Sequence, residues 1–287
     1  MPELTGIFKQ LEEHTFTADE CFLCGCVLVK ENKTEEHVIP KWLQSKFNLW
    51  DQQITLLNGT YLPYRLLTIP CCKTCNNIYL SPFEIKVNKA FNGGFEVFKN
   101  LDKKTLFLWL GKIYFGLLYK ELFLSLDRKN PKKGTILTSE YMNFFYNHFL
   151  FLQGIREKHV FNGFFPASIY LFKTQLSNII ENQWDIFDNQ STMFISIRMG
   201  EIGIIAALQD CETIIGFGSA YDQHREIDLH PLQFREIAAK LLYSATLMNR
   251  TPKFINIQNS NNGIVETTLM PLMGVSTKYS LNQPHVL

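Results

Sequence analysis

Two pairs of cysteines constrain the fold of this chain more than any other feature of its sequence. Cys21 and Cys24 form one Cys-x2-Cys pair, and Cys72 and Cys75 form the other. Two thiolates on one tight turn span an edge of a tetrahedron, so two such turns can supply all four ligands of a structural zinc ion. The segments between them are short, and a metal would supply folding free energy that a small core cannot. The spacing therefore predicts one structural Zn²⁺ held by these four cysteines.

The other three cysteines are not assigned to the metal. Cys26 and Cys71 are interpreted as spare core residues, with Cys71 as an alternative ligand to Cys72 in a shifted register, and Cys211 as a small buried hydrophobic residue. Six of the seven cysteines lie in the first third of the chain, and its first residues lack the pattern of a secretory signal. We therefore expect a reducing, cytoplasmic location and metal ligation in preference to disulfides.

Composition limits the class of protein. The chain has 287 residues, of which 46% are hydrophobic and 14% aromatic, enough for buried cores in two modest domains. A net charge of +1 argues against a protein that simply coats nucleic acid. The most apolar run, residues 106–118, is interrupted by Gly111 and Lys112 and is too short for a membrane span, so no membrane partner is expected.

Hydrophobic periodicity and turn residues predict an α+β chain. In the first part we expect a strand from the turn at 21–29, a second strand closing at 38–40, a helix from Pro40 through Phe47, and a hairpin around Asn58-Gly59. Further predicted helices are 81–91, 101–126, 139–155 and 231–248, and further predicted strands are 167–172, 192–198 and 203–208. The polar tail beyond Asn259 is predicted to be loosely ordered.

This pattern divides the chain into two predicted domains. Residues 1–98 would form a small zinc-stapled module, and residues 99–287 a larger mixed domain with aromatic-rich helices and a small antiparallel sheet. The second domain resembles nothing that we recognise. An accessory role in regulation or assembly is expected for it, through a homo-oligomer or a partner protein.

A short polar motif lies between the two cysteine pairs. Glu36-His37 is followed by Val38-Ile39-Pro40, and Asn76 comes directly after the second pair. The order of these pieces resembles the HNH endonucleases, in particular the branch with a four-cysteine zinc site, over residues 21–90. The resemblance implies a ββα-metal module, treble-clef-like in its zinc site, that cleaves phosphodiester bonds with one divalent metal.

The resemblance also implies a role for each residue of the motif. His37 matches the general base that activates water, and Glu36 and Asn76 match the two protein ligands of the catalytic metal. Two oxygen ligands, with the rest left to water and phosphate, suit Mg²⁺ or Mn²⁺. DNA is the expected nucleic-acid substrate. Similar modules with large appended regions resemble effectors of restriction and anti-phage defence, an analogy of domain layout only.

One position departs from the family pattern. The middle Asn of the family, which orients the catalytic loop, corresponds here to Leu67. Asn58 or Arg65 could replace it from the hairpin, the loop could be held in another way, or the site could be degenerate. Glu84, on the following helix, offers a further metal or outer-sphere contact, although an exposed helix-face carboxylate is the favoured interpretation.

Two further hypotheses remain open. Arg128, Lys129, Lys132 and Lys133 form a basic stretch that could follow a phosphate backbone together with Lys41, or could be a solvated loop between two helices. The first module could also be a catalytically idle zinc domain that binds nucleic acid or a partner protein. Loss of the middle Asn favours the idle domain, and retention of the Glu, His and Asn favours the nuclease.

Overall fold

The computed structural model describes residues 14–215, 221–222, 224, 227–248, 252–259 and 264–270. These residues form a mixed α+β structure in which small sheets surround one long buried helix. This confirms the predicted fold class at that level.

The first part of the chain consists of short strands and one short helix. In chain order they are β1 (Lys33–His37), α1 (Lys41–Lys46), β2 (Gln53–Thr55), β3 (Tyr61–Pro63) and β4 (Thr68–Cys72). β1 pairs antiparallel with β4, so that His37 lies opposite Thr68 and Lys33 opposite Cys72. β2 and β3 form the predicted hairpin, with Gly59 at a φ of +74° in its turn.

One predicted strand of this region was wrong, and the end of a second one was misplaced. Segment 21–29 forms turns with one isolated bridge between Glu20 and Val27, because the Cys21 N–H donates back to the Cys26 carbonyl. The strand expected to close at 38–40 is β1, which ends at His37. Pro40 has no N–H for a ladder and instead precedes α1.

A helical segment follows β4 without a break. One π-helical stretch, Cys75–Leu80, continues into α2 (Ser81–Asn92), which ends at Gly93 close to its predicted limit. A single turn, α3 (Phe95–Phe98), leads to α4 (Lys103–Glu121), whose first turn is capped by the Asp102 side chain. The prediction of a well-covered central helix is confirmed, since nearly every residue of α4 is buried.

The predicted helix 139–155 is broken into pieces. It consists of α5 (Ser139–Met142), a 3-10 turn (Asn143–Phe145), α6 (Tyr146–Leu152) and a second 3-10 turn (Gln153–Ile155). The segment is rich in Asn, Phe, Tyr and His, which are weak helix formers, so packing of its aromatic rings decides its path. At Gly111 the ring of His148 lies so close that a Cβ atom would be 2.9 Å from it.

A four-stranded antiparallel sheet forms the centre of the later part. Its strands are β6 (Ser168–Lys173), β7 (Trp184–Asn189), β8 (Phe194–Met199) and β9 (Ile202–Ala207), in the order β6-β9-β8-β7. One face packs on the core around α4, and the other is covered by α7 (Pro231–Thr246). Three of these strands and α7 match the predictions, whereas β7 was not predicted.

A second sheet joins the end of the described chain to its middle. β10 (Phe254–Asn259) pairs antiparallel with β11 (Ile264–Leu269), which pairs in parallel with β5 (Lys158–Asn162). The prediction of a loosely ordered tail was therefore wrong for 264–269, where β-branched residues favour a strand. The rest of that predicted tail, 260–263 and 271–287, lies outside the described residues, apart from Met270.

Both predicted domains contribute to one buried cluster. Phe22 and Leu43 from the first part and Trp109 and Ile197 from the second belong to the same continuous core. The boundary at residue 98 stays a prediction, although α4 clearly packs against the first part. In the described residues, every helix is too short or too polar to cross a lipid bilayer.

Candidate functional site

Four cysteines lie close enough together to bind one metal ion. The sulfur atoms of Cys21, Cys24, Cys26 and Cys72 are all within 4.8 Å of one another. The Cys24 and Cys72 sulfurs are 3.8 Å apart, which equals the edge of a tetrahedron with metal–sulfur bonds of about 2.3 Å. A disulfide would need about 2.05 Å, and all seven cysteines are free.

Two more cysteines border this group. The Cys75 N–H donates to the Cys72 sulfur at 3.3 Å, and the Cys75 thiol interacts with those of Cys21, Cys24 and Cys72. The Cys71 sulfur lies 4.0 Å from that of Cys21. Three of the four predicted ligands, Cys21, Cys24 and Cys72, are therefore in the close group. Its fourth member is Cys26, whereas the predicted fourth ligand was Cys75. Which of the two completes the set stays a prediction.

The electrostatics of the cluster favour a bound cation. Hydrogen bonds with Cys24, Cys26, Cys71 and Cys72 hold the pKa of the Cys21 thiol far below its usual range. The hydrogen bond to Cys21 in turn raises the pKa of Cys26 and of Cys75, because it favours their protonated thiols, and burial and repulsion by neighbouring thiolates raise it further. A dication among the sulfurs would remove this repulsion and allow several of them to ionise together.

The residues of the polar motif line one open cleft. It has a volume of about 370 Å³ and lies between β1, α1 and the start of α2. Glu36 and His37 reach it from the end of β1, Lys41 from α1, and Asn76 and Glu84 from the helical segment after β4. The antiparallel pairing of β1 with β4 brings Glu36 and Asn76 to the same cleft although they are 40 positions apart in the sequence.

His37 is held in its neutral form. Its ring stacks on Trp50 with 6.0 Å between the centroids. Burial, followed by the charges of Lys41 and Lys112, lowers the pKa of His37 to about 4. Its Nε2 is buried and has no hydrogen-bond partner among the described residues. A neutral imidazole with an accessible nitrogen can accept a proton.

Asn76 presents its amide oxygen as a free acceptor. Its Nδ2 donates to the Thr34 hydroxyl at 3.1 Å and to the Glu35 carbonyl at 3.2 Å. The Glu35 carbonyl can only accept, so the NH₂ group must face β1 and Oδ1 must point away from it. No described residue donates to Oδ1. This is the arrangement that a metal ligand requires.

A buried lysine lies beneath the cleft. The Lys112 side chain is completely buried on α4, and its Nζ is 2.5 Å from Glu36 Oε1 and 3.2 Å from Glu84 Oε1. Nζ also donates to the His37 carbonyl at 2.9 Å. Burial alone would lower the pKa of Lys112, but Glu36 and Glu84 outweigh this effect and raise it. The ammonium therefore remains charged and has three oxygen partners.

Glu84 is tightly bound in the cleft wall. Its Oε2 accepts from the indole N–H of Trp42 at 3.0 Å and from that of Trp109 at 3.2 Å. With Lys112 on Oε1, this carboxylate has three donors and a side chain only 13% exposed. Its interpretation as an exposed helix-face carboxylate was wrong, because α2 turns this face towards α4 and not towards water.

Neither proposed substitute for the middle Asn is in the cleft. Leu67 is fully buried, and its carbonyl accepts from the Val38 N–H at 3.0 Å. Asn58 donates to the carbonyls of Ser125 and Leu126, and Arg65 pairs with Asp51. The backbone around His37 is thus held in another way, by Leu67 on one side and by Lys112 on the other. Sequence reasoning missed this role of Lys112, whose only signal is a lone charge within the apolar run 106–118.

The basic stretch lies on a loop between α4 and α5. Arg128 donates to the Tyr61 carbonyl at 3.1 Å, and Lys133 pairs with Asp127 at 2.9 Å. The side chains of Lys129 and Lys132 are exposed. Of the predicted phosphate contacts, only Lys41 lines the cleft.

Comparison with models of known protein families, with curated proteins and with solved structures finds no match for this chain.

Proposed function

We propose that this protein is a metal-dependent endonuclease that hydrolyses phosphodiester bonds, with DNA as the expected substrate, by a single-metal HNH-type reaction. One observation carries the proposal. Glu36, His37 and Asn76, which the sequence motif groups by resemblance alone, line the same cleft in the folded chain. The residues offer a carboxylate, a neutral imidazole and an amide oxygen, the groups that such a reaction needs.

In this proposal each group has one task. Glu36 and Asn76 would hold Mg²⁺ or Mn²⁺, whose chemistry is to stabilise charge on the scissile phosphate and on the leaving oxygen. His37 would take a proton from water, and its ring stacks on Trp50. Lys41, at the rim, would contact the phosphate backbone.

Lys112 would act as a positioning residue for this chemistry. Its ammonium fixes the Glu36 carboxylate and the His37 carbonyl in one network, so both motif residues are oriented from α4. Because Glu36 Oε1 is engaged by Lys112, only its second oxygen remains for a metal. This arrangement supplies the support that the family's middle Asn would otherwise give to the backbone near His37.

The cysteine cluster would hold the structural zinc of the same module. Cys72 ends β4, and Cys75 begins the helical segment that carries Asn76. A metal bound there would therefore fix the relative position of the strand and the helix that form the cleft. We propose zinc because thiolate-only sites with tetrahedral spacing favour it.

The proposal is tested by a cleavage assay. Duplex DNA, single-stranded DNA and RNA are incubated with wild type and with His37→Ala, in the presence of Mg²⁺, Mn²⁺ or a chelator. Wild type should cleave at least one substrate in a metal-dependent way, and His37→Ala should lower the turnover by about 10² to 10⁴. Trp50→Phe, which keeps an aromatic ring beside His37, serves as the matched control and should remain active.

The two proposed metal ligands should fail in a different way from the base. Glu36→Ala and Asn76→Ala should weaken Mn²⁺ binding, measured by electron paramagnetic resonance of the free ion, whereas His37→Ala should leave it largely unchanged. Excess Mn²⁺ should partly restore cleavage by the ligand variants, and none of the three should release the zinc. Equal Mn²⁺ binding by all variants would contradict the assigned ligands.

A catalytically idle domain is the second candidate function, and one observation favours it. Lys112 already supplies a cation to Glu36 and Glu84, so these carboxylates are compensated without a metal. An idle domain would bind nucleic acid or a partner protein through the same surface. It predicts that wild type binds no Mn²⁺ at the cleft and cleaves no nucleic acid, and that His37→Ala binds the same partners as wild type.

A further inference from the structure

A charged residue occupies the middle of the sheet beneath α7. Along β8, Phe194 belongs to the apolar cluster under this helix, and alternation places Ser196 and Arg198 on the same face. Arg198 is only 3% exposed. Packing alone would favour an apolar residue at such a position, so packing does not explain why a guanidinium is buried there.

Most of the hydrogen-bonding capacity of Arg198 is unused. A guanidinium has five N–H donors, but among the described residues its one hydrogen-bond acceptor is the Asn182 carbonyl, which accepts from Nη2. Nε and Nη1 are buried and have no partner in the described part of the chain. Asp185 lies opposite Arg198 in the β7–β8 pairing, yet its carboxylate accepts from Arg235 Nε at 2.6 Å. Burial lowers the pKa of Arg198 and the charge of Asp185 offsets this only in part, so an anion in direct contact with the guanidinium would compensate it further.

An open cavity adjoins this arginine. It measures about 470 Å³, within the range of about 300 to 1,000 Å³ that small-molecule sites occupy. Arg198 and Arg235 both line it, and so do His230 and Leu232 at the start of the 16-residue helix α7. The N-terminus of a helix adds a partial positive charge that attracts anions.

The remaining lining shows what kind of molecule would fit. Among the described residues that line the cavity, Glu181 is the only one with a carboxylate, and it is exposed and accepts a hydrogen bond from Asn48. Leu176 and Leu232, which are 64% and 63% exposed, form an apolar rim. The cavity therefore combines a cationic floor with an apolar entrance, which suits a ligand with an anionic group and an apolar ring.

We propose that this cavity binds the phosphate group of a small molecule of mononucleotide size. Arg198 and Arg235 would hold the phosphate at the N-terminus of α7, and the rim would contact the base. The site is separate from the cleft and does not depend on the proposed nuclease activity, so either proposal can fail alone.

The test is a binding titration of the full chain without added Mg²⁺ or Mn²⁺. The probes are AMP, inorganic phosphate and adenosine, and binding is followed by calorimetry. AMP should bind, phosphate should compete with it, and adenosine should bind at least about tenfold more weakly, since a hydrogen bond to a charged group is worth that much or more. Absence of AMP binding, or adenosine binding as tightly as AMP, would overturn the proposal.

Variants locate the bound phosphate. Arg235→Gln, at an exposed position, should retain the fold and weaken AMP binding about tenfold or more. Lys240→Gln removes a positive charge from the same helix, where Lys240 pairs with Glu236 away from the cavity, and should leave AMP binding unchanged. Equal weakening in both variants would show attraction by surface charge alone and refute the site. Arg198→Met should abolish AMP binding. If Arg198→Met does not fold, the result with Arg235→Gln decides whether the cavity binds phosphate.

Discussion

Two buried cations of this protein have opposite surroundings. Lys112, beneath the cleft, contacts two carboxylates and a backbone carbonyl, so the protein itself supplies its partners. Arg198, beneath α7, has one carbonyl partner and two unpartnered nitrogens among the described residues. Burying a charge is costly in both places, but among the described residues only the lysine contacts carboxylates directly, whereas Asp185 acts on Arg198 through its charge without a hydrogen bond. Lys112 thus serves the internal structure of the cleft, whereas we propose that Arg198 serves an external ligand.

The largest expected effect comes from the cysteines below the cleft. Cys72→Ser should remove about one tightly bound zinc per chain, measured by metal analysis, because Cys72 lies beside the other thiols whichever of Cys26 and Cys75 completes the set. The β1–β4 pairing should then be lost, and amide exchange in β4 should rise more than in β8. Retention of both zinc and fold would indicate that Cys71 is the ligand in place of Cys72, or that there is no metal site.

Matched variants of the same cluster assign the fourth ligand. Cys26→Ser and Cys75→Ser each remove one of the two candidates, and the variant that releases zinc identifies the ligand. Cys211→Ser, far along the chain and outside the cluster, is the control and should retain the metal.

Replacing Lys112 should lower the free energy of unfolding much more than replacing Arg198. Lys112→Met leaves Glu36 and Glu84 without their cation and should lower the free energy of unfolding by about 3–5 kcal/mol, measured by urea denaturation. Glu84→Gln in the same chain should restore part of this stability. Arg198→Met should change the free energy of unfolding by only about 1 kcal/mol, since it removes a single hydrogen bond and a buried charge that no described carboxylate contacts by a hydrogen bond. Similar destabilisation by both substitutions would contradict the proposed difference between the surroundings of Lys112 and Arg198.

A buried acid on α4 extends the comparison to negative charge. Glu121 has two neutral donors, the Leu57 N–H and Gln190 Nε2, and burial raises its pKa to about 7 from an ordinary value of 4.5. Because the folded-state pKa is raised, the stability that its protonated form contributes is complete below a pH of about 4.5 and disappears as the pH rises through about 7. Glu121→Gln should therefore be more stable than wild type at a pH of about 8, by up to about 3 kcal/mol.

The same variant should show a much smaller advantage at a pH of about 4, where wild-type Glu121 is largely protonated in both the folded and the unfolded state. Denaturation at several pH values measures the difference, with Glu31→Gln at an exposed position as the control. A constant difference across this range would contradict the raised pKa.

The smallest effect is expected from the basic loop. Replacing Arg128, Lys129, Lys132 and Lys133 with Gln should weaken binding to nucleic acids of any sequence, and the slope of log K against log salt should fall by about one for each phosphate that the loop neutralises. Arg128 and Lys133 already have protein partners, so the total change should be smaller than if all four side chains met phosphates. Lys41→Gln tests the cleft rim separately, and an unchanged slope for the loop variant would leave it as a solvated connection.

The sequence by itself determined the local features of this protein. Asn58-Gly59 predicts the turn of the hairpin, Gly93 and Gly94 end α2, and the apolar run on α4 demands a covered helix, because each depends on neighbouring residues or on periodicity alone. The cysteine spacing likewise indicates that the two pairs meet. The aromatic segment 139–155 and strands β5, β7 and β11 were misjudged or missed, since their conformations depend on partners distant in sequence.

Only the tertiary structure decided how the candidate sites are completed. No short-range pattern links Lys112 to Glu36 and Glu84, since its buried place between them arises from the packing of α4 against β1 and α2. Arg198 is an ordinary charge in the sequence, and it becomes a buried guanidinium because α7 covers that face of the sheet. Burial and charge compensation depend on contacts between distant segments, and those contacts exist only after the chain has folded.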